Sequence, residues 1–339
     1  MKTQLSKIFH IAIAILICIS MLVACTGMGT ETPPALTPVT LQLQWVTQAQ
    51  FAGYYVALDK GWYKDEGIDL TIIPGGPDQI PVDLIASGTR DFATTLLADL
   101  ATAIENGKPV IGIAQIQQKN GLLLITRKSA EIQTPKDFKN KKVGVWVGSW
   151  EAQFDALIAQ QEITKNDFSL VNQGYSMEAF IKGELDVASA MIYNEYYVVL
   201  ESGIKPDELN IIDYATYGLD FPGDTLFTST ETTKQNPDLC TRMVRASLKG
   251  WQYAIEHPDE AAAIVLKYDK TGVQTSQHQL SMMTEIAKLV QLEGRQLGRS
   301  DDVALQRTID TLLQYGVLKT AVQAKNVMTN DFWDKAQGK

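Results

Sequence analysis

Between Leu41 and Pro74 the apolar positions change period twice. Leu41, Leu43 and Trp45 alternate with polar residues, which predicts a strand. After a polar turn over 47–50, Phe51, Tyr54, Tyr55 and Leu58 recur at helical spacing, and Gly61 stands where a helix end favours a left-handed residue. Ile68, Leu70 and Ile72 alternate again, and Pro74, Gly75 and Gly76 end the run. The stretch reads as one β-α-β unit. In open α/β sheets ligands bind outside the carboxyl ends of the strands. Its first strand-to-helix junction therefore points Trp45, Gln48 and Gln50, with Tyr54 and Tyr55 in the first helical turns, at a binding crevice.

The pattern continues in the same manner. Helices are predicted over 80–87 and 96–106, and strands after Arg90, over 110–116 and over 122–126. Residues 129–142 are polar, with Thr134-Pro135 as a helix start. A second α/β set follows: strands at 143–147, 167–171, 187–192 and 209–214, helices at 150–160, 177–182 and 194–200. Strand alternating with helix predicts largely parallel sheets. Asp224 to Ser229 reads as a return strand, and the chain beyond Thr230 as helices. The chain thus crosses between two lobes near Thr126 and near Tyr217. We assign 40–126 with 218–339 to lobe I and 127–217 to lobe II. Two crossings make a hinge, which lets the lobes close over a ligand.

Composition narrows the function. The chain has 339 residues, 45% of them apolar and 20% charged, which is globular. The formal charge of −9 and pI near 5.0 argue against nucleic acid as a partner. Residues 1–24 read as a signal peptide: Lys2 and Lys7, then the apolar run 8–22, shorter than a comfortable membrane span. The run ends in Leu22-Val23-Ala24-Cys25, which resembles the lipobox of bacterial lipoproteins; the resemblance implies cleavage before Cys25 and acylation of that cysteine. Removal of 1–24 takes both lysines, so the mature formal charge is −11. Residues 25–39, rich in Thr, Pro and Gly, read as a flexible tether. Cys18 leaves with the signal, so Cys240 has no partner for an internal disulfide, and it reads as a small buried side chain in a helix.

No catalytic set stands out, and no metal or cofactor site is expected. Gly75-Gly76-Pro77 is a turn and too short for a phosphate loop. His257 and His278 have no carboxylate or cysteine at metal-ligand spacing and read as solvated helix residues. The aromatic residues at or just after strand ends are Trp45, Tyr54, Tyr55, Trp146, Trp150, Tyr193, Tyr196 and Tyr197. Flat heterocycles stack on such rings at about 1 kcal/mol each beyond area burial. Polar groups at the same junctions are Gln48, Asp78, Asp99, Gln115, Gln117, Ser149, Glu151, Asn194, Glu195 and Asp220. Amides and carboxylates suit a ring with N–H and carbonyl edges, or a polyol. Tyr54 and Tyr55 diverge by about 100° on a helix, so only one can face the cleft. Trp146 could instead pack between sheet and helix, and Glu195 could be a plain helix N-terminal acid. A sulfonate would favour arginine, and the lone arginine before the first crossing, Arg90, falls at a turn; a helix N-terminus at Ser149–Trp150 could still hold an anion.

Three segments carry a family resemblance: Gly53-Tyr54-Tyr55-Val56-Ala57 through Gly61-Trp62-Tyr63-Lys64-Asp65-Glu66-Gly67-Ile68, then Thr134 to Phe138 with Lys141 to Val145, then Gly183 to Ala188. Over roughly 40–270 the chain resembles periplasmic solute-binding proteins of the thiamine-pyrimidine-precursor, sulfonate and riboflavin branch. The resemblance implies an α/β, type II periplasmic-binding-protein fold: two Rossmann-like lobes joined by a two-crossover hinge. It implies a non-enzymatic subunit, lipid-anchored on the extracytoplasmic face of the cell membrane, delivering a small molecule to the permease and ATPase of an ABC importer. It also sets Trp45 as a first ligand contact and Glu195 as a partner for a ring N–H. The rings favour riboflavin as ligand, then thiamine pyrimidine precursors such as hydroxymethylpyrimidine or formylaminopyrimidine, then aliphatic sulfonates. One sub-branch makes the thiamine pyrimidine from its own histidine, with an iron-binding cysteine cluster and pyridoxal phosphate. This chain lacks the cysteine cluster, and its histidines outside the signal lie in predicted helices.

Overall fold

The computed structural model describes residues 35–76, 79–147, 151–174 and 176–338. The signal peptide, Cys25 and most of the expected tether lie outside them, as do Asp78, Ser149 and Trp150.

From Thr37 onward the chain forms two five-stranded sheets. The first contains β1 (Thr37–Gln42), β2 (Ile68–Ile73), β3 (Phe92–Leu96), β4 (Val110–Gln115) and β10 (Asp224–Ser229). The second contains β5 (Leu122–Arg127), β6 (Lys142–Val145), β7 (Ser169–Asn172), β8 (Val187–Met191) and β9 (Leu209–Asp213). Their orders correspond: β2-β1-β3-β10-β4 and β7-β6-β8-β5-β9. In each, one strand runs antiparallel to both neighbours, β10 in the first and β5 in the second. That strand is the one the chain reaches on crossing from the other lobe.

This placement corrects two expectations. Leu122 to Thr126 was expected in lobe I, but β5 pairs with β8 and β9, so the first crossing lies ahead of it at 116–121. Apolar periodicity shows that such a run is buried; it carries no information on which sheet receives it. At the other end β1 begins at Thr37, inside the expected tether, because Thr37 to Gln42 pair in register with Ile68 to Ile73.

The first lobe owes its packing to a close helix crossing. Helix Ala52–Asp59 lies against helix Pro237–Glu256. A Cβ on Gly250 would stand 2.0 Å from the Gly53 carbonyl oxygen, so the backbones meet where both side chains are absent. Trp251 fills the space above Gly53 and meets Tyr54 edge to face at 5.8 Å. Helices Pro258–Tyr268 and Ser276–Val290 continue this layer. Trp62 is half-buried and Tyr63, Trp251 and Trp333 are buried, all in structural roles, and Cys240 is a buried thiol as expected.

The two crossings run side by side. Gln117 N–H donates to Asp224 O (3.1 Å), Gly223 N–H to Gln117 O (3.0 Å) and Asn120 N–H to Phe221 O (2.8 Å). Gln115, at the end of β4, is buried beneath them. Its amide donates to the carbonyls of Gln117, Gly223 and Asp224, and its Oε1 accepts from Thr225. These bonds tie the two crossings into one two-stranded ribbon between the lobes.

Candidate functional site

Between the lobes lies a cavity of about 370 Å³, with a smaller recess sharing its two tryptophans. The first lobe supplies Gln44, Trp45, Gln79, Thr95 and Asp99, and the second Trp146, Val147, Asn172 and Gln173. The recess adds Gln48, Gln50, Tyr193, Asn194 and Glu195. Exposed Ile80 and Val147, from opposite lobes, also line the cavity.

The first wall is built on a locked loop. β1 stops at Gln42, earlier than its alternation suggests, because Leu43 N–H still donates to Ile73 O while Gln44 N–H turns to Thr94 Oγ1 (3.0 Å). Gly75 N–H donates to Trp45 O at 2.8 Å. A Cβ at Gly75 would lie 2.1 Å from Leu43 O, so glycine is required for the loops after β1 and β2 to touch. Trp45 is thereby held just beyond the carboxyl end of β1 without belonging to the strand. Across the gap, Trp146 donates its indole N–H to Gly174 O (3.2 Å). Gln173 is pinned by a reciprocal pair with Ser189, both bonds 2.8 Å.

Three carboxyl groups shape the electrostatics. Glu195 lies at the start of helix Glu195–Glu201. Its Oε2 accepts from Met191 N–H (2.9 Å) and its Oε1 from the Asn194 amide (2.7 Å). Burial pushes it up to about 7 despite these donors. Asp224 stands behind the first wall, accepting from Gln44 (2.7 Å) and Gln50 (2.9 Å), and burial pushes it up to about 7 as well. Gln48 in turn donates to Gln50 at 2.7 Å. Asp99 lines the main cavity; burial pushes it up to about 8, partly offset by the Thr95 hydroxyl. Gln44 Oε1 is buried and accepts no hydrogen bond, which makes it a ready acceptor for a ligand N–H or O–H. Among the described residues, no arginine, lysine, histidine or cysteine lines the cavity or the recess. Arg90 instead points to Gln42 Oε1 and Thr89 O.

The structure brings together Trp45, Gln48, Asp99, Trp146, Tyr193, Asn194 and Glu195 of the expected set. Five others stand apart. Neither Tyr54 nor Tyr55 faces the cavity: Tyr54 is in the helix interface beside Trp251, and Tyr55 packs on Tyr268 with its hydroxyl on Thr47. Both directions from that helix are filled by the C-terminal helices, which local periodicity does not reveal. Gln115 braces the hinge, and Asp220 sits 3.6 Å from Arg307 at the surface. Tyr197 leaves the cavity to donate to Glu285 (2.9 Å). His278 is a correction too: it is buried against the second lobe, contrary to the solvated reading. Sequence reasoning missed Gln44, Thr95, Gln173 and Asp224. A signal existed for two of them: Gln44 is a polar position within the first alternation, and Asp224 is a carboxylate opening an apolar strand.

Comparison with known proteins follows from this geometry. The family model described as "NMT1/THI5 like" matches residues 48–261. The riboflavin-binding protein RibY of Chloroflexus aurantiacus is 25% identical over 96% of this chain and 98% of its own. A formylaminopyrimidine-binding protein of Halalkalibacterium halodurans is 26% identical over 75% of this chain and 77% of its own. A relative from Legionella pneumophila, 29% identical over 66% of this chain and 71% of its own, is named a 4-amino-5-hydroxymethyl-2-methylpyrimidine phosphate synthase. Among solved structures, the periplasmic aliphatic sulphonate binding protein SsuA of Escherichia coli superposes with a TM-score of 0.67 at 12% identity, covering 87% of this chain and 92% of that one. The fold is thus the two-lobed periplasmic-binding-protein fold. Pyridoxal phosphate, expected of the synthase sub-branch, takes a lysine amine as its Schiff-base partner. With no lysine on the cavity or the recess among the described residues, that group does not fit here.

Proposed function

Because this chain belongs to the NMT1/THI5-like family, we propose that it is an extracytoplasmic solute-binding protein that captures an uncharged, flat heterocycle between its lobes. In this reading the ligand is riboflavin, the protein is not an enzyme, a lipid on Cys25 holds it at the membrane, and a permease and an ATPase receive its cargo. The observation that carries the reading is the chemistry of the cavity: one tryptophan from each lobe, amides and carboxyl groups between them, and no lining cation among the described residues. Two indoles facing one gap suit a planar ring. Carboxylates and the Gln44 oxygen accept N–H and hydroxyl groups, which an isoalloxazine edge and a ribityl chain supply. An aliphatic sulfonate would meet acceptors where it needs donors. The relative named for riboflavin, alignable over nearly the whole chain, supports the same choice. Formylaminopyrimidine is the second reading, favoured by Glu195, whose carboxylate can accept from an aminopyrimidine edge.

The test is a titration of tryptophan fluorescence with riboflavin, with formylaminopyrimidine and with an alkanesulfonate. Riboflavin is expected to quench at micromolar concentration, and Trp45→Ala to weaken binding about tenfold, the loss of one stacked ring of roughly 1–1.5 kcal/mol. Saturation by the sulfonate alone would overturn the proposal.

A further inference from the structure

The helix Ser276–Val290 touches both walls of the recess, although it belongs to the lobe of the first sheet. On its own side, Gln279 is fully buried and its Oε1 accepts from Ala49 N–H at 2.6 Å, between the wall residues Gln48 and Gln50. One residue earlier, His278 reaches the other lobe. Its Nε2 lies 2.8 Å from Asn194 Oδ1 and its Nδ1 3.0 Å from Glu201 Oε1. About two turns further on, Glu285 accepts from the Tyr197 hydroxyl at 2.9 Å. Asn194, Tyr197 and Glu201 all belong to the start or body of helix Glu195–Glu201, whose first residue is the carboxylate of the recess.

The orientation of this chain of bonds is set by its ends. The Asn194 amide nitrogen donates to the Glu195 carboxylate, so its oxygen faces the imidazole. The imidazole Nε2 must then carry the hydrogen. Glu195 is therefore aligned through Asn194 by a residue of the opposite lobe, while the neighbouring Gln279 aligns the Gln48–Gln50 wall.

We propose that the first turn of helix Ser276–Val290 is a latch that couples the two pocket walls, and that His278 is its positioning residue, presenting Asn194 and Glu195 to the ligand. This goes beyond the binding reading by assigning a specific interlobe coupling. It also stands without a choice of ligand, because each of these bonds joins two side chains of the protein itself. Opening of the lobes must break the His278 and Tyr197 bonds together, so the latch sets how readily the empty site opens.

The experiment compares His278→Leu, His278→Gln and Glu201→Ala with the parent protein. The first readout is hydrogen exchange of ligand-free protein at residues 191–201, where Met191 N–H reports on Glu195. Exchange there is expected to rise about tenfold in His278→Leu, the loss of a hydrogen-bonded pair to a charged neighbour. His278→Gln keeps an N–H for Asn194 and is expected to restore most of the protection. Glu201→Ala, at a more exposed position, is expected to give a smaller rise at the same residues and serves if His278→Leu fails to fold. The second readout is riboflavin dissociation by stopped flow, expected roughly tenfold faster in His278→Leu and near the parent rate in His278→Gln. Unchanged exchange in His278→Leu, or equal loss in the leucine and glutamine variants, overturns the latch. If riboflavin fails to bind the parent protein, the ligand reading falls, and the exchange comparison alone decides the latch.

Discussion

Replacing Glu195 by glutamine should flatten the dependence of stability on pH. The carboxyl group is buried, and it holds its proton up to about 7 against an ordinary value of 4.5. The native state therefore keeps a proton that the unfolded chain has already released. By linkage, the stabilisation is complete below pH about 4.5 and is lost as pH rises to about 7. At about 1.4 kcal/mol for each tenfold difference in proton affinity, the full loss is roughly 3 kcal/mol. Asp224, raised from 3.8 to about 7 by burial, acts in the same direction and remains in the variant. The carboxylates held low by hydrogen bonds, such as Asp137, Asp167 and Asp301, act in the opposite direction, and their window lies below their ordinary value of 3.8. Measurements from pH 5 to pH 8 avoid them. Urea unfolding of ligand-free parent and Glu195→Gln across that range gives the test. The parent should lose about 2–3 kcal/mol more than the variant between pH 5 and 8. The glutamine also misplaces one donor against Met191 N–H or the Asn194 amide, a cost of about 1 kcal/mol that does not vary with pH and cancels in the comparison. Equal slopes for the two proteins would refute the claim that burial of Glu195 governs its proton.

Gly250→Ala should destabilise the first lobe by about 1–3 kcal/mol, because the added Cβ would press on the Gly53 carbonyl and no flexible side chain can yield there; the melting temperature checks it, and an unchanged value would show that the helices separate freely. Gln115→Leu leaves three hinge carbonyls without their shared donor, and should cost about 1–3 kcal/mol in urea unfolding and raise hydrogen exchange at 116–121 and 221–224, while Trp45 fluorescence of the empty protein stays at its parental wavelength.

Much of the fold was legible along the chain, and the reason is that it is local. Alternation at 68–72, helical spacing at 51–58 and the left-handed Gly61 are each settled by neighbours within a few residues, and β2 and helix Ala52–Asp59 follow them closely, whereas β1 (Thr37–Gln42) overlaps the alternation at 41–45 only at its first two positions. The two-lobed design followed from the repeat of that pattern and the return strand at Asp224. The candidate site was legible where a side chain ends a strand, as at Trp146 and at Tyr193 to Glu195, because strand ends face the cleft in this architecture.

What the sequence determined by itself was the set of elements and the aromatic, amide and carboxyl chemistry at their ends. Only the tertiary structure decided which of those groups meet. Tyr54 and Tyr55 have the same local pattern as a cleft residue, yet helices two hundred positions later cover them. The run at β5 looks like any buried strand, yet it completes the other sheet. His278 sits on a helix that reads as a solvated face, yet it reaches Asn194, 84 positions away in the chain. In each case the deciding contact is long-range, and periodicity reports burial without naming the partner.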